Sequence, residues 1–460
     1  MTSKSVRQKP GSASRGGSNA PEKPGLAARQ AAARLLAAVI DKRASLDGML
    51  DQTGGNPVYL ALSPADRGLV RAILNTALRH LPRIEAMIGS LLKTPLPDGA
   101  RALQHVLAVA AAQILYLDVP DRAAVDLAVE QANEDPRNRR FASLVNALLR
   151  RLSSEKERLL AEVGASVPAL PEWFQTRLKA IYGPEAALAI AEAHLAPAAI
   201  DLTVKSDPEG WAARLGGIVL PTGSVRLADY EGSVADLEGY ADGQWWVQDA
   251  AAAIPARLFG DLKGKRVVDL CAAPGGKTAQ LIEAGAKVTA LDMSANRLRR
   301  LRENLDRLQL DADLIEGNAG DYQPTDLFDA ALLDAPCSST GTARRHPDVP
   351  WTKGLEDVRK LAGVQERLLR HALSLIKPGG VVVFSNCSLD PIEGEDMIER
   401  LLQSMPTVSR VPVPASVLPG LLEAITSKGE VRTTPAMLKR DTAAASGMDG
   451  FYACVLKRDS

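Results

Sequence analysis

Val267-Val268-Asp269-Leu270-Cys271-Ala272-Ala273-Pro274-Gly275-Gly276-Lys277-Thr278 is an apolar strand run that ends in a glycine turn and opens a helix. Similar runs follow it: KVTAL, ADLIEG, FDAALLDA and VVVFSN, separated by helix-like segments at 276–284, 294–309 and 355–376. Strict alternation of this kind predicts a parallel, doubly wound sheet with helices on both faces, a Rossmann-type α/β domain. Gly450 to Leu456 reads as a final strand at the edge of that sheet.

In such a sheet ligands bind beyond the carboxyl ends of the strands, which makes Cys271, Ala272, Ala273, Pro274, Gly275, Gly276 and Lys277 a candidate cofactor loop. Its glycines let the backbone approach a ligand, and the helix N-terminus offers free N–H groups with partial positive charge. A phosphate-binding Walker loop needs glycine where Cys271 stands, and the Gly-x-Gly-x-x-Gly spacing of a dinucleotide site is absent. A compact nucleoside ligand without a pyrophosphate remains, and S-adenosylmethionine fits. Asp292 ends the second strand, where an acid accepts hydrogen bonds from ribose hydroxyls; Asn318, after the third, is placed to meet the adenine edge.

Upstream the pattern changes twice. Residues 1–25 carry Lys4, Arg7, Lys9, Arg15 and Lys23 against Glu22, lack apolar periodicity, and read as a disordered basic tail. Residues 26–165 are helical throughout, with apolar positions three and four apart, and predict an all-α bundle. Ser63-Pro64 and Asp121 mark helix starts. Arg137, Arg139, Arg140, Arg150 and Arg151 make a basic end on the last helix, either a solvated face or an RNA-facing patch. His80 and His105 stand alone, as packing or surface histidines do. Residues 166–245 mix two Pro-flanked helices with short strand-like runs, a small α+β module. Residues 246–460 hold the α/β domain.

Two thiols lie at strand ends beside the candidate loop: Cys337 in Asp334-Ala335-Pro336-Cys337-Ser338-Ser339, and Cys387 in Ser385-Asn386-Cys387-Ser388. The chemistry that needs a thiolate next to a methyl donor is attack on an electron-poor ring. Carbon 5 of cytosine is too poor a nucleophile to take a methyl group directly; a thiolate added at carbon 6 turns it into an enamine carbon that can. A base then removes the carbon 5 proton, and elimination frees the enzyme. Asp334, protonated, would hydrogen-bond the cytosine N3/N4 edge.

Composition limits the alternatives. Lys+Arg 55 balances Asp+Glu 55, so any nucleic-acid surface must be local. A hydrophobic content of 46% with only 4% aromatics calls for cores of Leu, Ala, Val and Ile. The four cysteines, 271, 337, 387 and 454, form no Cys-x-x-Cys pair and no disulfide framework, so no metal is expected and a reducing compartment is. No apolar run reaches membrane-spanning length, and a cytoplasmic protein is expected.

WWVQDAAAAIPARLF, DLCAAPGGKT, LDAPCSSTGTARRHPDVPW, SNCSLDPIEGED and GMDGFYA together resemble the Sun-type RNA (cytosine-5) methyltransferases over roughly 240–458. The bundle in front is NusB-like, and with it the resemblance implies an RNA-binding enzyme acting on 16S rRNA. It also implies that Cys387 is the nucleophile, that Cys337 helps release the product, and that loop 271–277, Asp292, Asn318 and Asp334 hold the cofactor. Asn318 departs from the Asp usual in that family, and Asn386 stands where Thr is common. Arg344, Arg345 and His346 are implied to contact the RNA backbone. The target cytosine must be single-stranded or flipped out, since carbon 6 is inaccessible in a stacked helix. Two other readings compete: the same chemistry on tRNA, and a non-catalytic RNA-binding or antitermination factor. Intact Cys337, Cys387, Asp334 and Asp292 speak against the latter.

Overall fold

The computed structural model describes residues 23–459 apart from 53, 229 and 231, so the expected basic tail lies outside the described residues up to position 22. Leu26–Lys42 (α1), Pro64–Leu91 (α2), Arg101–Tyr116 (α3), Asp121–Glu134 (α4), Ala142–Ser154 (α5) and Lys156–Ser166 (α6) form the bundle. Ser63 caps α2 by accepting the Asp66 N–H at 3.1 Å, and Pro64 takes the first helical position, where its missing N–H costs nothing. The start of α4 differs: Pro120 holds the cap position, and Asp121 lies inside, accepting from Ser153 Oγ at 2.5 Å. One core of Ala, Leu, Val and Ile runs from Ala28 to Val163. Both lone histidines are spent on structure: the His80 ring stacks on Tyr116 at 3.9 Å, and His105 bonds Asp41 at 3.0 Å. The five arginines at the bundle's basic end are exposed.

Glu172–Ala193 (α7) breaks at Gly183, whose φ of 80° is left-handed, so the two Pro-flanked helices expected there meet end to end. A four-stranded antiparallel sheet follows, ordered β2-β3-β1-β4, from Ile200–Val204 (β1), Ile218–Val219 (β2), Val225–Leu227 (β3) and Trp245–Val247 (β4). Pro208–Leu215 (α8) packs on it. In its midst Arg226 and Asp201, both without solvent contact, form a two-pronged ion pair at 2.7 Å. Arg226 also donates to the carbonyls of Ala445 and Gly447, tying this sheet to the chain that enters the last strand.

The α/β domain holds Arg266–Leu270 (β5), Gly276–Glu283 (α9), Lys287–Asp292 (β6), Ala295–Leu308 (α10), Asp313–Glu316 (β7), Phe328–Asp334 (β8), Leu355–Ser374 (α11), Ile376–Asn386 (β9), Glu395–Ser404 (α12), Val408–Val411 (β10), Val431–Thr433 (β11) and Phe451–Arg458 (β12). Its sheet order is β10-β12-β9-β8-β5-β6-β7, with β11 also on β12. Strands β5 to β9 are parallel, so the ends of β5, β6, β8 and β9 share one rim, as the strand–helix alternation requires. The expectation for the last strand is corrected: β12 is not an edge. It pairs antiparallel with β9 on one side and with β10 and β11 on the other. Its run Phe451 to Leu456 is buried throughout, which suits a strand covered on both faces and paired on both sides.

Among the described residues no helix is long and apolar enough to cross a membrane, and no group of His, Cys, Asp and Glu is arranged to hold a metal ion.

Candidate active site

The loop after β5 is shaped by two left-handed residues, Cys271 (φ 63°) and Gly275 (φ 103°), the latter capping α9. Glycine is needed at 275 because a side chain there would be strained and would also press on Leu301. The turn is pinned from β6: Asp292 accepts the Ala273 N–H at 3.2 Å and the Ser294 N–H at 3.1 Å, and Arg297 stands 3.4 Å from its carboxylate. At 1% exposed, Asp292 holds the loop from behind. Asn318 is exposed and turned to its own loop, accepting from Gly320 N at 3.0 Å and donating to Asp321 at 2.7 Å.

A cavity of about 420 Å³ opens against this loop, bordered by residues 271–277, Asp269, Asp334, Asp249, Asp449 and Arg345. Asp292 and Asn318 are not among its lining residues. The wall is rich in carboxylates. Asp269 is fully buried and pushed up to about 7 by that burial; Thr278 donates to one of its oxygens at 2.6 Å and the other has no partner. Lys277, Arg307 and Arg345 border the same cavity, so its wall offers acceptors for an ammonium as well as donors. Carboxylate acceptors beside the free N–H groups of the 271–277 turn fit S-adenosylmethionine, which carries both an ammonium and a carboxylate.

Asp334 ends β8 with both oxygens engaged, one by Lys277 Nζ at 2.7 Å and one by Ser385 Oγ at 2.9 Å. The same ammonium sits 4.9 Å above the Phe451 ring. Lys277 thus links the loop, β8 and β12 at a single point.

The two thiols, fifty residues apart in sequence, meet with sulfurs 3.4 Å apart. This is a contact between free cysteines, far longer than a disulfide bond. The contact with Cys337 holds Cys387 below its ordinary value and outweighs burial, while the same contact together with burial holds Cys337 well above. The pair therefore favours a thiolate on 387 and a thiol on 337. Cys271 is pushed up to about 12 by burial, which makes it a poorer nucleophile than Cys387.

Beneath the sulfurs lies a polar network that fixes both thiol loops. Glu393, with no solvent contact, accepts from Ser338 N at 2.9 Å, Ser338 Oγ at 2.5 Å and Gln365 Nε2 at 2.8 Å. Asn386 donates to the Glu393 carbonyl at 2.7 Å and accepts from Ser388 N at 3.0 Å. The hydroxyls of Ser338, Thr340 and Ser388 lie within 3.2–3.4 Å of one another. Gly341 and Gly450 complete the clamp: Gly341 N donates to the Cys387 carbonyl and Gly450 N to that of Gly341. A Cβ on Gly341 would fall 1.9 Å from Gly450 O.

The arginine run after the first thiol is where the sequence misled. Arg344 is 2% exposed; it donates to the Ser446 carbonyl at 2.9 Å. Arg345 reaches Asp249 at 2.6 Å and lies 3.3 Å from Asp449. Both guanidinium groups are turned into the protein by buried acceptors, so they are not set to meet RNA phosphates. His346 is half-exposed but bonds Asp47 of the bundle at 2.9 Å, while Trp351 donates to the Leu78 carbonyl and Arg79 to that of Arg344. The segment thus docks the bundle onto the thiol loop.

Glu393, Gln365, Asp449, Asp249 and Asp269 escaped the sequence reading. Four of them lie inside the runs quoted above for the family resemblance, but an acid in a sequence carries no mark of burial.

Two family models match the chain, "16S rRNA methyltransferase RsmB/F" over residues 260–457 and "NusB family" over 26–154. Ribosomal RNA small subunit methyltransferase B of Vibrio vulnificus (strain YJ016) is 32% identical over 452 residues, covering 94% of this chain and 99% of that protein. The protein of that name from Pseudomonas putida is 36% identical over 398 residues, 82% and 89% of the two chains. The crystal structure of NSun6 from Pyrococcus horikoshii with SFG superposes with a TM-score of 0.53 at 18% identity, covering 63% of this chain and 98% of its own, a likeness of fold.

Proposed function

Because the chain belongs to the RsmB/F family of 16S rRNA methyltransferases, S-adenosylmethionine-dependent enzymes that act on RNA cytosine, we propose that it methylates carbon 5 of a cytosine in 16S rRNA through a covalent adduct between Cys387 and carbon 6. The observation that carries this is the 3.4 Å meeting of two sulfurs from separate strand ends at the rim that also bears the acid-walled cavity.

The Cys387 thiolate adds to carbon 6; the C5–C6 π pair moves onto carbon 5, which becomes the nucleophile. When bound, S-adenosylmethionine supplies an electrophilic methyl group on a sulfonium. Residues 271–277, with Asp292 fixing their turn, hold that ligand. Asp334 and Lys277 face the pyrimidine, where a carboxylate and an ammonium match the amino and N3 positions of cytosine. Loss of the carbon 5 proton then restores the double bond and expels Cys387, whose departing sulfur is steadied by the Cys337 S–H. The NusB-like bundle and the small α+β module grip the RNA, and a flipped or unpaired cytosine enters.

The test is incubation with methyl-labelled donor and either unmodified 16S rRNA or tRNA. Label in 16S rRNA supports the proposal, whereas label in tRNA alone, or in neither, refutes it. Cys387→Ala is expected to form no denaturant-stable protein–RNA adduct, and Cys337→Ala to accumulate one. An adduct from the Cys387 variant would reverse the two roles.

A further inference from the structure

Asp449 differs from the other carboxylates at the cavity. It is 4% exposed, borders the cavity shared by Lys277 and Asp334, and its Oδ1 meets no hydrogen-bond donor of the protein. Asp334 is engaged at both oxygens; Asp249 is engaged by Arg345, Ala251 N and Asp449 N. Asp269, which also keeps an unengaged oxygen, sits on β5 beneath the cofactor loop. A buried carboxylate oxygen left without a partner, on a residue that borders a cavity, is costly unless something arrives to use it.

The backbone of Asp449 is tied to that of the nucleophile. Its carbonyl accepts from Thr433 Oγ1 at 2.8 Å, its neighbour Gly450 donates to Gly341 O at 2.8 Å, and Gly341 donates to Cys387 O at 2.9 Å. The close approach of the two glycines leaves no slack in this chain of contacts.

We propose that Asp449 is the base that takes the proton from carbon 5, an inference that rests on the covalent mechanism proposed above. After methylation carbon 5 bears both a hydrogen and a methyl group. The Asp449 carboxylate accepts the hydrogen as a proton; the C–H electron pair becomes the C5–C6 double bond; the C6–S bond breaks, and its pair returns to Cys387 as thiolate. The proton passes on to water. Asp449 and Cys337 thus act on the two ends of one elimination, the first on the proton and the second on the departing sulfur. Burial and the Asp249 charge lift Asp449 to about 7, with Arg345, Arg344 and His346 pulling the other way, so the group can take up and return a proton near neutral pH.

The experiment compares wild type, Asp449→Asn and Asp449→Glu on a 16S rRNA transcript with methyl-labelled donor. Asp449→Asn is expected to accumulate a methyl-labelled, denaturant-stable adduct and to release product about 100-fold more slowly, while Asp449→Glu keeps turnover. A merely structural role would lower adduct formation, because the nucleophile would be displaced. Wild type on a 5-fluorocytosine transcript serves as reference, since fluorine cannot leave as a proton and the methylated adduct must persist. No wild-type adduct there sinks the covalent mechanism. A wild-type adduct there, combined with normal turnover or absent adduct in Asp449→Asn, sinks the role of Asp449 alone. If Asp449→Asn melts below the assay temperature, Asp449→Ser carries the same comparison.

Discussion

Replacing Glu393 by Ala tests whether the buried network under the thiols holds the active site together. Three donors point at its carboxylate, but they are not equally stranded by its loss. The Ser338 hydroxyl can turn to Ser388, 3.2 Å away, and Gln365 Nε2 retains the Pro336 carbonyl at 3.0 Å. The Ser338 N–H has no such alternative, and a buried donor left unpaired costs about 1–3 kcal/mol. Adding the packing lost with the one methylene that Ala lacks, about 0.8 kcal/mol, brings the expected loss to about 3 kcal/mol. For a domain of this size that is a fall of about 6–12 °C in the melting midpoint. An amide keeps the length and shape of the Glu393 side chain and one of its two acceptor oxygens. Glu393→Gln, whose Oε1 can still accept from Ser338 N, should therefore lose only about 1 kcal/mol. Scanning calorimetry and adduct formation on 5-fluorocytosine RNA, measured at one pH, check both halves. Adduct formation should fall in Glu393→Ala and survive in Glu393→Gln. A Glu393→Ala protein melting within about 1 °C of wild type with an undiminished adduct rate would refute the reasoning.

Gly341→Ala places a Cβ on the Gly450 backbone, where no rotamer relieves the overlap; it should lower the melting midpoint and, by parting the two glycines, sharply slow methyl transfer. Wild-type kinetics in that variant would show that the contact is dispensable. Arg226→Met strands the wholly buried Asp201 charge and should cost about 3–5 kcal/mol, much of it recovered by adding Asp201→Leu. Equal melting of the single and double variants would contradict this. Asp269, at about 7 when folded against 3.8 as its ordinary value, holds a proton that the unfolded chain has lost. Between those values the native state binds more protons, so stability falls as pH rises from about 4 to about 7, by up to about 1.4 kcal/mol per unit. Asp269→Asn should flatten that slope in melting curves taken across the window, and an unchanged profile would count against the assignment.

Much of this architecture was legible because its cues are local. A strand, glycine turn and helix within twelve residues places a loop at a sheet rim wherever the remaining chain goes, and Cys337 and Cys387 follow strands of the same kind. The 3.4 Å contact was not legible, since no spacing rule says which strand ends are neighbours. Arg344 and Arg345 looked like surface charges because their acceptors, Asp249, Ser446 and Asp449, come from segments about a hundred residues away in either direction. Glu393 failed for the same reason: its donors come from the other thiol loop and from α11. The last strand was misplaced because an apolar run looks alike at the margin and in the middle of a sheet; only the pairing of Val408–Val411 beyond it decides.

The position of β12 also bears on how the molecule is made. As the polypeptide emerges, β5 to β9 can assemble early, but the outer side of β9, with Val382, Val383 and Phe384, then waits with its peptide groups unpaired until a strand translated much later slides in beside it. A bare, apolar strand border is the kind of surface that recruits neighbouring chains. Synthesis stalled between the second thiol and β12 would leave a sticky, inert intermediate, so chaperone demand should concentrate on that interval.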